Sequence, residues 1–108
     1  MSEKIIDFSN YPLNINSIQE LFGNSLLDDQ KNGIRHFILD FSNAIMDPGL
    51  AEIGMKLTML GGLVDLEGGK CILVTPQVGM LREYAPMFLK GIPSCTLVET
   101  LTDAKNLL

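Results

Sequence analysis

Charged residues, histidine, cysteine and tryptophan are all scarce in this sequence. The chain of 108 residues contains one histidine, two cysteines and no tryptophan, and charged residues make up only 19% of it. Hydrophobic residues make up 46%, an ordinary share for a folded domain, which excludes an intrinsically disordered chain. So few charges cannot cover the whole surface of the domain. Either much of the apolar surface is buried, or part of it faces a partner.

Basic residues and long apolar runs are also few. Lysine and arginine number 8 against 13 aspartate and glutamate residues, so the net charge is −5, and no basic cluster occurs. Because affinity for nucleic acid depends on cations that neutralise phosphates, we expect no nucleic-acid partner. No apolar run reaches the roughly 18 residues that cross a bilayer, and the first residues do not resemble a secretory signal. We therefore expect a cytoplasmic protein without direct membrane insertion.

The motifs of common catalytic, cofactor and metal sites are missing from the sequence. Neither of the glycine patterns that bind phosphates, GxxxxGK[ST] and GxGxxG, occurs. One histidine and two cysteines cannot supply a converging set of metal ligands, and His36 is expected to be structural. Cys71 and Cys95 each begin an apolar run, which predicts reduced core thiols, with a disulfide or redox pair as the alternative. We predict no enzyme, no cofactor and no metal.

Strand-like and helical segments alternate along the chain. The sequence predicts strands over residues 4–8, 36–41, 71–74 and 95–99, with residues 11–15 continuing the first strand or pairing with it. Helical patterns separate these strands. This alternation predicts an α/β fold, namely a single small domain over residues 1–108 with a mixed, mostly parallel sheet and helices packed on it.

Local signals mark where the helices begin and end. Ser17 and Glu20 have the spacing of a capping box, in which each side chain satisfies a free backbone N–H of the first turn. The predicted helix starts are, in chain order, Ser17, Asp47-Pro48, Thr75-Pro76 and Thr100. The predicted stops are Asn32-Gly33, Gly68-Gly69 and Pro86.

The second predicted helix has two apolar sides. One stripe at helical spacing is the expected core face: Leu50, Ile53, Leu57, Leu60 and Val64. A second one, here called the methionine–leucine stripe, lies on roughly the opposite side: Met55, Met59, Leu63 and Leu66. Either the helix has a wide buried face, or this stripe is an adaptable surface that binds a partner. A similar, weaker pattern follows on the third predicted helix: Met80, Tyr84 and Met87.

From residue 36 to residue 108 the chain resembles the STAS domain, the family of bacterial anti-sigma-factor antagonists and of the cytoplasmic tails of sulfate transporters. The resemblance lies in HFILDFSN followed by MDPGL, in GGKCILVTPQV, and in CTLVETLTDA. It implies a sheet covered by helices, with an N-terminal strand pair that is short here. It also implies partner switching, a form of signal transduction that regulates transcription. In it the antagonist binds an anti-sigma kinase until a serine or threonine at the start of the second helix is phosphorylated.

The sequence departs from the family at that phosphorylated turn. Asp47, Gly49 and Leu50 match the Asp-Ser-Ser-Gly-like pattern, but Pro48 stands where the serines are expected. We therefore expect a protein that binds its partner without switching by phosphorylation there. Ser42 and Thr75 are minor candidates for phosphorylation, although a turn and a helix cap are their simpler roles.

The resulting hypothesis is a non-catalytic interaction module that binds an anti-sigma kinase-like protein. The predicted partner-binding residues are Asp47, Pro48, Gly49 and Leu50, together with the methionine–leucine stripe: Met55, Met59, Leu63 and Leu66. A STAS accessory subunit of a lipid ABC transporter is the alternative. A homodimer and an unrecognised ligand-binding or enzymatic α/β domain also stay open.

Overall fold

The computed structural model describes residues 3–45, 50–75 and 95–108. Its centre is a parallel sheet of four strands in the order β1-β2-β3-β4. The strands are β1 (Glu3–Asp7), β2 (His36–Asp40), β3 (Cys71–Val74) and β4 (Cys95–Val98). All three neighbouring pairs are parallel, which confirms the predicted α/β class. The antiparallel component of the predicted mixed sheet is not found in the described residues.

Helices cover both faces of the sheet. The first crossover consists of α1 (Ile15–Ile18), a π-helical turn (Gln19–Gly23) and α2 (Asn24–Lys31), and the second contains α3 (Leu50–Leu66). These helices bury the larger core cluster, whose fully buried members include Ile18, Phe22, Phe37, Leu39 and Ile53. The short helix α4 (Leu101–Asn106) contributes Ala104 to a smaller cluster with Ile38, Ile72 and Val74. Alternate side chains of β2 thus enter different clusters.

The first helix starts earlier than the sequence predicted. Asn14 is its N-cap, since the Asn14 side-chain oxygen accepts from the Ser17 backbone N–H at 3.0 Å. Ser17 lies inside the first turn and is buried, so the predicted capping box of Ser17 and Glu20 is wrong. The physical reason is that asparagine caps a helix as well as serine does. Because Ser17 is buried within the first turn, Asn14 rather than Ser17 takes the N-cap position.

Residues 11–15 do not extend the first strand. Pro12 and Ile45 form an isolated parallel bridge, in which the N–H of Leu13 donates to the carbonyl oxygen of Ile45 at 2.7 Å. Ile15 is already the first residue of α1. Both predictions for this segment, continuation of the first strand and pairing with it, are therefore wrong, because the segment bridges to Ile45 and the helix cap at Asn14 ends the extended backbone within a few residues.

The helix stop predicted at Asn32-Gly33 is confirmed. Gly33 has a φ of 92°, a backbone conformation that favours glycine. Its N–H donates to the carbonyl oxygen of Gln30, and the N–H of Ile34 donates to that of Asp29, at 3.1 and 3.0 Å. This pair of bonds is the Schellman motif, which satisfies carbonyl groups at the helix end. It directs the chain at once into β2.

Helix α3 ends in the same motif. Gly68 has a φ of 75° and donates to the carbonyl oxygen of Asp65 at 2.9 Å, while Gly69 donates to that of Val64 at 3.0 Å. A Cβ at Gly69 would overlap the backbone carbonyl oxygen of Arg35. The stop predicted at Gly68-Gly69 is thus confirmed, and close backbone approach requires the second glycine.

Of the remaining predicted helix starts and stops, one is confirmed and the others lie outside the described residues. Thr100 caps α4 as predicted, because its hydroxyl accepts from the N–H of Asp103 at 3.1 Å. The predicted start at Asp47-Pro48, the third helix with its apolar pattern, and Pro86 lie outside the described residues.

Candidate functional site

Helix α3 has one side in the core of the domain. The described members of the predicted core stripe are all buried: Ile53, Leu57, Leu60 and Val64. They pack in the larger core cluster with side chains of the sheet and of the first crossover helix. The core face of α3 is therefore confirmed at these four positions, whereas the side chain of Leu50 lies outside the described residues.

The opposite side of α3 presents apolar side chains at the surface. Met55 is 74% exposed, Met59 56%, Leu63 37% and Leu66 80%. The alternative of a single wide buried face is therefore wrong for the methionine–leucine stripe. Four large apolar residues in a row on the outer side of a helix are unusual, since that side is ordinarily polar. Their role in binding a partner stays a prediction.

A groove runs between the first helix and the N-terminal half of this stripe. Ile15 of α1 lines it together with Met55, Lys56 and Met59 of α3, and its volume is about 340 Å³. Three of these four side chains are apolar, and the ammonium group of Lys56 supplies a positive charge at the wall. A groove of this kind can accept an apolar side chain and place an acidic group beside the lysine.

Gly62 leaves a gap within the same surface. No atom of the described residues beyond its own helix lies within 4 Å of a Cβ placed on Gly62. A glycine inside a helix costs about 1 kcal/mol relative to alanine, and nothing described in this chain requires it here. The outer side of α3 therefore has large side chains at both ends and a flat position between them.

The C-terminal half of α3 is attached to α2. The Gln30 side-chain amide nitrogen donates to the backbone carbonyl oxygen of Leu63 at 3.1 Å. Helix α2 is in turn attached to the edge strand β1, since the ammonium group of Lys4 lies 2.7 Å from a carboxylate oxygen of Asp29. These bonds connect α3 to α2, and α2 to the edge strand of the sheet.

The structure describes the two minor phosphosites but not the first three residues of the predicted binding turn. Asp47, Pro48 and Gly49 lie outside the described residues. Ser42 is exposed in the turn after β2, and its N–H donates to a carboxylate oxygen of Asp40 at 3.0 Å. Thr75, directly after β3, is 1% exposed, and its hydroxyl has no hydrogen-bond partner within the described part of the chain. Of the two hydroxyls, only that of Ser42 is accessible to a kinase without an opening of the fold.

Groups that carry acid–base or metal chemistry are dispersed. Within residues 3–45, 50–75 and 95–108 no three His, Cys, Asp or Glu side chains lie close enough to hold a metal ion. His36 accepts a hydrogen bond at Nδ1 from the N–H of Lys70 at 3.1 Å, in agreement with its predicted structural role. Hydrogen bonds from the hydroxyl and the N–H of Ser9 lower the pKa of Asp7, an exposed carboxyl at the end of β1.

Sequence reasoning missed two residues of this surface. The sequence pattern predicts extended backbone at Ile15, although Asn14 before it is a common N-cap residue and indicates a helix start. Gly62 was not singled out, although it lies on the same side of the helix as Met59 and Leu66. The groove itself could not be predicted, since it forms between two elements that are distant in the chain.

None of the helices in the described residues combines the length and the apolar character needed to cross a bilayer. No protein-family model matches the sequence, and no curated protein matches it.

Proposed function

We propose that this chain is a non-catalytic protein-interaction module that resembles anti-sigma-factor antagonists. Its partner is an anti-sigma kinase-like protein, which binds residues 47–50 and the methionine–leucine stripe. One observation carries the proposal: Met55, Met59 and Leu66 are each more than half exposed on a helix whose other side is buried. Large apolar side chains at the surface are costly unless something covers them.

The chemistry of this surface suits a protein partner. Methionine has a flexible, polarisable side chain that adapts to different apolar surfaces, and two methionines flank the groove beside Ile15. A partner helix could insert one apolar side chain there and place a carboxylate near Lys56. The low charge of the chain, at 19%, is in line with a surface that is partly covered in use.

The residues that precede α3 in the sequence support binding without a phosphorylation switch. In the family that the chain resembles, a phosphate on a serine of this turn alters the contact surface. Pro48 occupies the corresponding place here, and no hydroxyl side chain lies between Asp47 and Leu50. Without a phosphate acceptor in the turn, the complex persists in the presence of ATP.

The test combines the protein with a cognate anti-sigma kinase and ATP. We expect a stable complex and no transfer of phosphate. Met59→Glu should weaken binding by about 30-fold or more, because it buries a charge in the interface. Leu107→Glu, at an exposed apolar residue of the C-terminal end, is the matched control and should bind as the wild type does.

Three results would contradict parts of the proposal. Stoichiometric phosphoserine at Ser42 would contradict binding without a switch. Unchanged affinity of the Met59→Glu protein would exclude the methionine–leucine stripe from the interface. Co-purification with a membrane ATPase, with no binding to the kinase, would instead support the accessory subunit of a lipid ABC transporter.

A further inference from the structure

We propose that a second copy of this chain occupies the outer side of α3, so that two α3 helices pair antiparallel about a two-fold axis. This inference goes beyond the proposed function: the second copy covers the same side of α3 when no other protein is bound, so the second copy and the kinase-like partner compete for it. It rests on the order of large and small residues along α3 and on the groove at one end of that helix.

The residues that face directly away from the core form a seam. Met55, Met59, Gly62 and Leu66 are separated by four, three and four positions, which is the spacing of the contact residues in paired helices. At about 100° per residue they fall within an arc of about 60°. Leu63 lies beside this seam. One straight row of contact positions therefore faces outward along most of α3.

The seam is self-complementary when it is reversed. In an antiparallel pair centred between residues 60 and 61, Met55 lies opposite Leu66 of the second copy, and Met59 lies opposite Gly62 of the second copy. The largest gap in the seam then receives a flexible methionine. A parallel pair would instead place Met59 against its own copy and leave two glycines facing each other, with an unfilled space between the helices.

The two ends of the seam also match as a projection and a recess. Leu66 is 80% exposed and is the projection. The groove lined by Ile15, Met55, Lys56 and Met59 is the recess. Eleven residues of α-helix place the two about 16 Å apart. A two-fold axis between them puts each Leu66 over the groove of the other copy, which is the reciprocal contact of an isologous dimer.

Charges along the helix do not oppose this arrangement. Glu52 continues the seam by one step, and in the antiparallel register it lies opposite position 69 of the second copy, beyond the end of that helix. The four seam residues are uncharged, and Lys56 and Asp65 lie on opposite sides of the seam. In the antiparallel register each of them is offset from its own copy by about 13 Å along the axis. Like charges at that separation are largely screened at physiological ionic strength. One helix pair buries less than the ~800 Å² per partner of a standard interface, so the dimer is reversible.

The test measures self-association of the purified protein by sedimentation velocity over a range of concentrations. We expect the wild type to form a dimer that dissociates on dilution. Met55→Lys and Leu66→Glu should each weaken the dimer at least about tenfold, which corresponds to about 1.4 kcal/mol. Met55→Lys combined with Leu66→Glu in one chain should restore it. The introduced ammonium group of each copy then meets the introduced carboxylate of the other, and only the antiparallel register brings these two groups together.

Two further variants separate dimerisation from folding. Gly62→Leu fills the gap that Met59 of the second copy occupies, so the dimer is lost while the helix propensity of the monomer rises. Leu107→Glu, on a different part of the chain, should leave the dimer unchanged. Far-UV circular dichroism checks that each variant is folded.

Failure of this proposal can be distinguished from failure of the proposed function, although both concern the same side of α3. A wild type that stays monomeric at its highest attainable concentration overturns the proposal. So does a double variant that is as monomeric as the single ones, since that result excludes the antiparallel register. Binding of the kinase by a strictly monomeric protein would refute the dimer and leave the proposed function intact.

Discussion

The side-chain amide of Gln30 donates a hydrogen bond to the backbone carbonyl of Leu63, 3.1 Å away on the neighbouring helix. In an uninterrupted helix that carbonyl would accept from the N–H of Glu67. Here the N–H of Glu67 donates to Val64 instead, at 3.2 Å, because the helix tightens before its Schellman ending. Gln30 therefore supplies the donor that the last turn of α3 lacks, and it joins α2 to the part of α3 that carries Leu63 and Leu66.

We predict that Gln30→Ala lowers the free energy of unfolding by about 1 kcal/mol, the usual net value of one hydrogen bond. The loss should be local, so amide exchange should accelerate most in the last turn of α3. Urea denaturation and hydrogen exchange measure the two effects. Gln19→Ala removes a side-chain bond to Asn24 that does not reach α3, and it serves as the control. Equal exchange rates in both variants would refute this role of Gln30.

Gly69 and Gly62 should respond in opposite ways to the same substitution. A Cβ at Gly69 would overlap the backbone oxygen of Arg35, which cannot move without displacing the approach to β2. We expect Gly69→Ala to destabilise the domain by about 3 kcal/mol, at the upper end of overpacking effects. A Cβ at Gly62 meets open space, and Gly62→Ala should stabilise the monomer by up to about 1 kcal/mol.

Each of the two glycine variants serves as the control for the other. Their midpoints of urea denaturation are compared at low protein concentration, where self-association is negligible. Both add one methyl group and both lie on α3 or directly after it. Similar changes in the midpoint would mean that backbone approach at Gly69 is not what requires glycine there. A loss of stability in Gly62→Ala would show that its Cβ is not directed into open space.

The pattern of the sequence predicted what is local and periodic. The strands follow from runs of apolar and β-branched residues between turn signals. The helix stops follow from Gly33 and Gly68, which adopt the positive φ that favours glycine. The buried side of α3 follows from the helical spacing of its apolar residues. Thr100 was identified as a cap because its side chain bonds within its own turn. Features of this kind depend on residues that are close in the chain, so a single sequence contains them.

What the sequence did not predict depends on tertiary packing. Ile18, Phe22 and Leu26 are spaced four apart and would drift by about 40° per step around an α-helix. The wider π-helical turn Gln19–Gly23 reduces that drift, so all three side chains are buried in the same core. Nothing in the local sequence marks such a turn. The groove beside Ile15 is of the same kind, because it exists only once α1 lies against α3.

Protonation of Asp7 should make a small contribution to acid sensitivity. The hydroxyl and N–H of Ser9 donate to the same carboxylate oxygen, at 2.6 and 2.9 Å, and they lower the pKa of Asp7 in the folded chain. The ordinary pKa, which Asp7 has in the unfolded chain, is about 3.8, so the ionised form stabilises the fold above that pH. This contribution is lost as the pH falls through the lower, folded pKa.

We predict that Ser9→Ala raises the pKa of Asp7 towards its ordinary value, since it removes the hydroxyl donor and leaves the backbone one. A carboxyl titration followed by NMR measures the shift, and carboxyl groups remote from Ser9 should titrate alike in both proteins. Asp7→Asn should reduce the dependence of stability on pH below about 4. An unchanged Asp7 titration in the Ser9→Ala protein would exclude the hydroxyl as the cause.

The hydroxyl of Thr75 is either buried without a hydrogen-bond partner or the cap of a following helix. The change in the free energy of unfolding on Thr75→Val distinguishes these two roles, because the two predict changes of opposite sign. Thr75 is 1% exposed, and its hydroxyl finds no hydrogen-bond partner in the described residues, although its backbone N–H donates to the carbonyl of Val98 at 2.9 Å. Burying a hydroxyl without a partner costs about 1–3 kcal/mol. Valine has nearly the same shape and no polar atom. We therefore expect Thr75→Val to raise the free energy of unfolding by about 1 kcal/mol.

If Thr75 capped a following helix, as the pair Thr75-Pro76 predicts, the same substitution would cost about 1 kcal/mol instead. Thr100→Val is the matched comparison, because the hydroxyl of Thr100 does accept a bond from the N–H of Asp103 and its loss should be destabilising. Urea denaturation of the two variants beside the wild type measures both signs. A gain at Thr75 with a loss at Thr100 means that the hydroxyl of Thr75 stabilises no helix. Losses at both positions mean that the hydroxyl of Thr75 caps a helix.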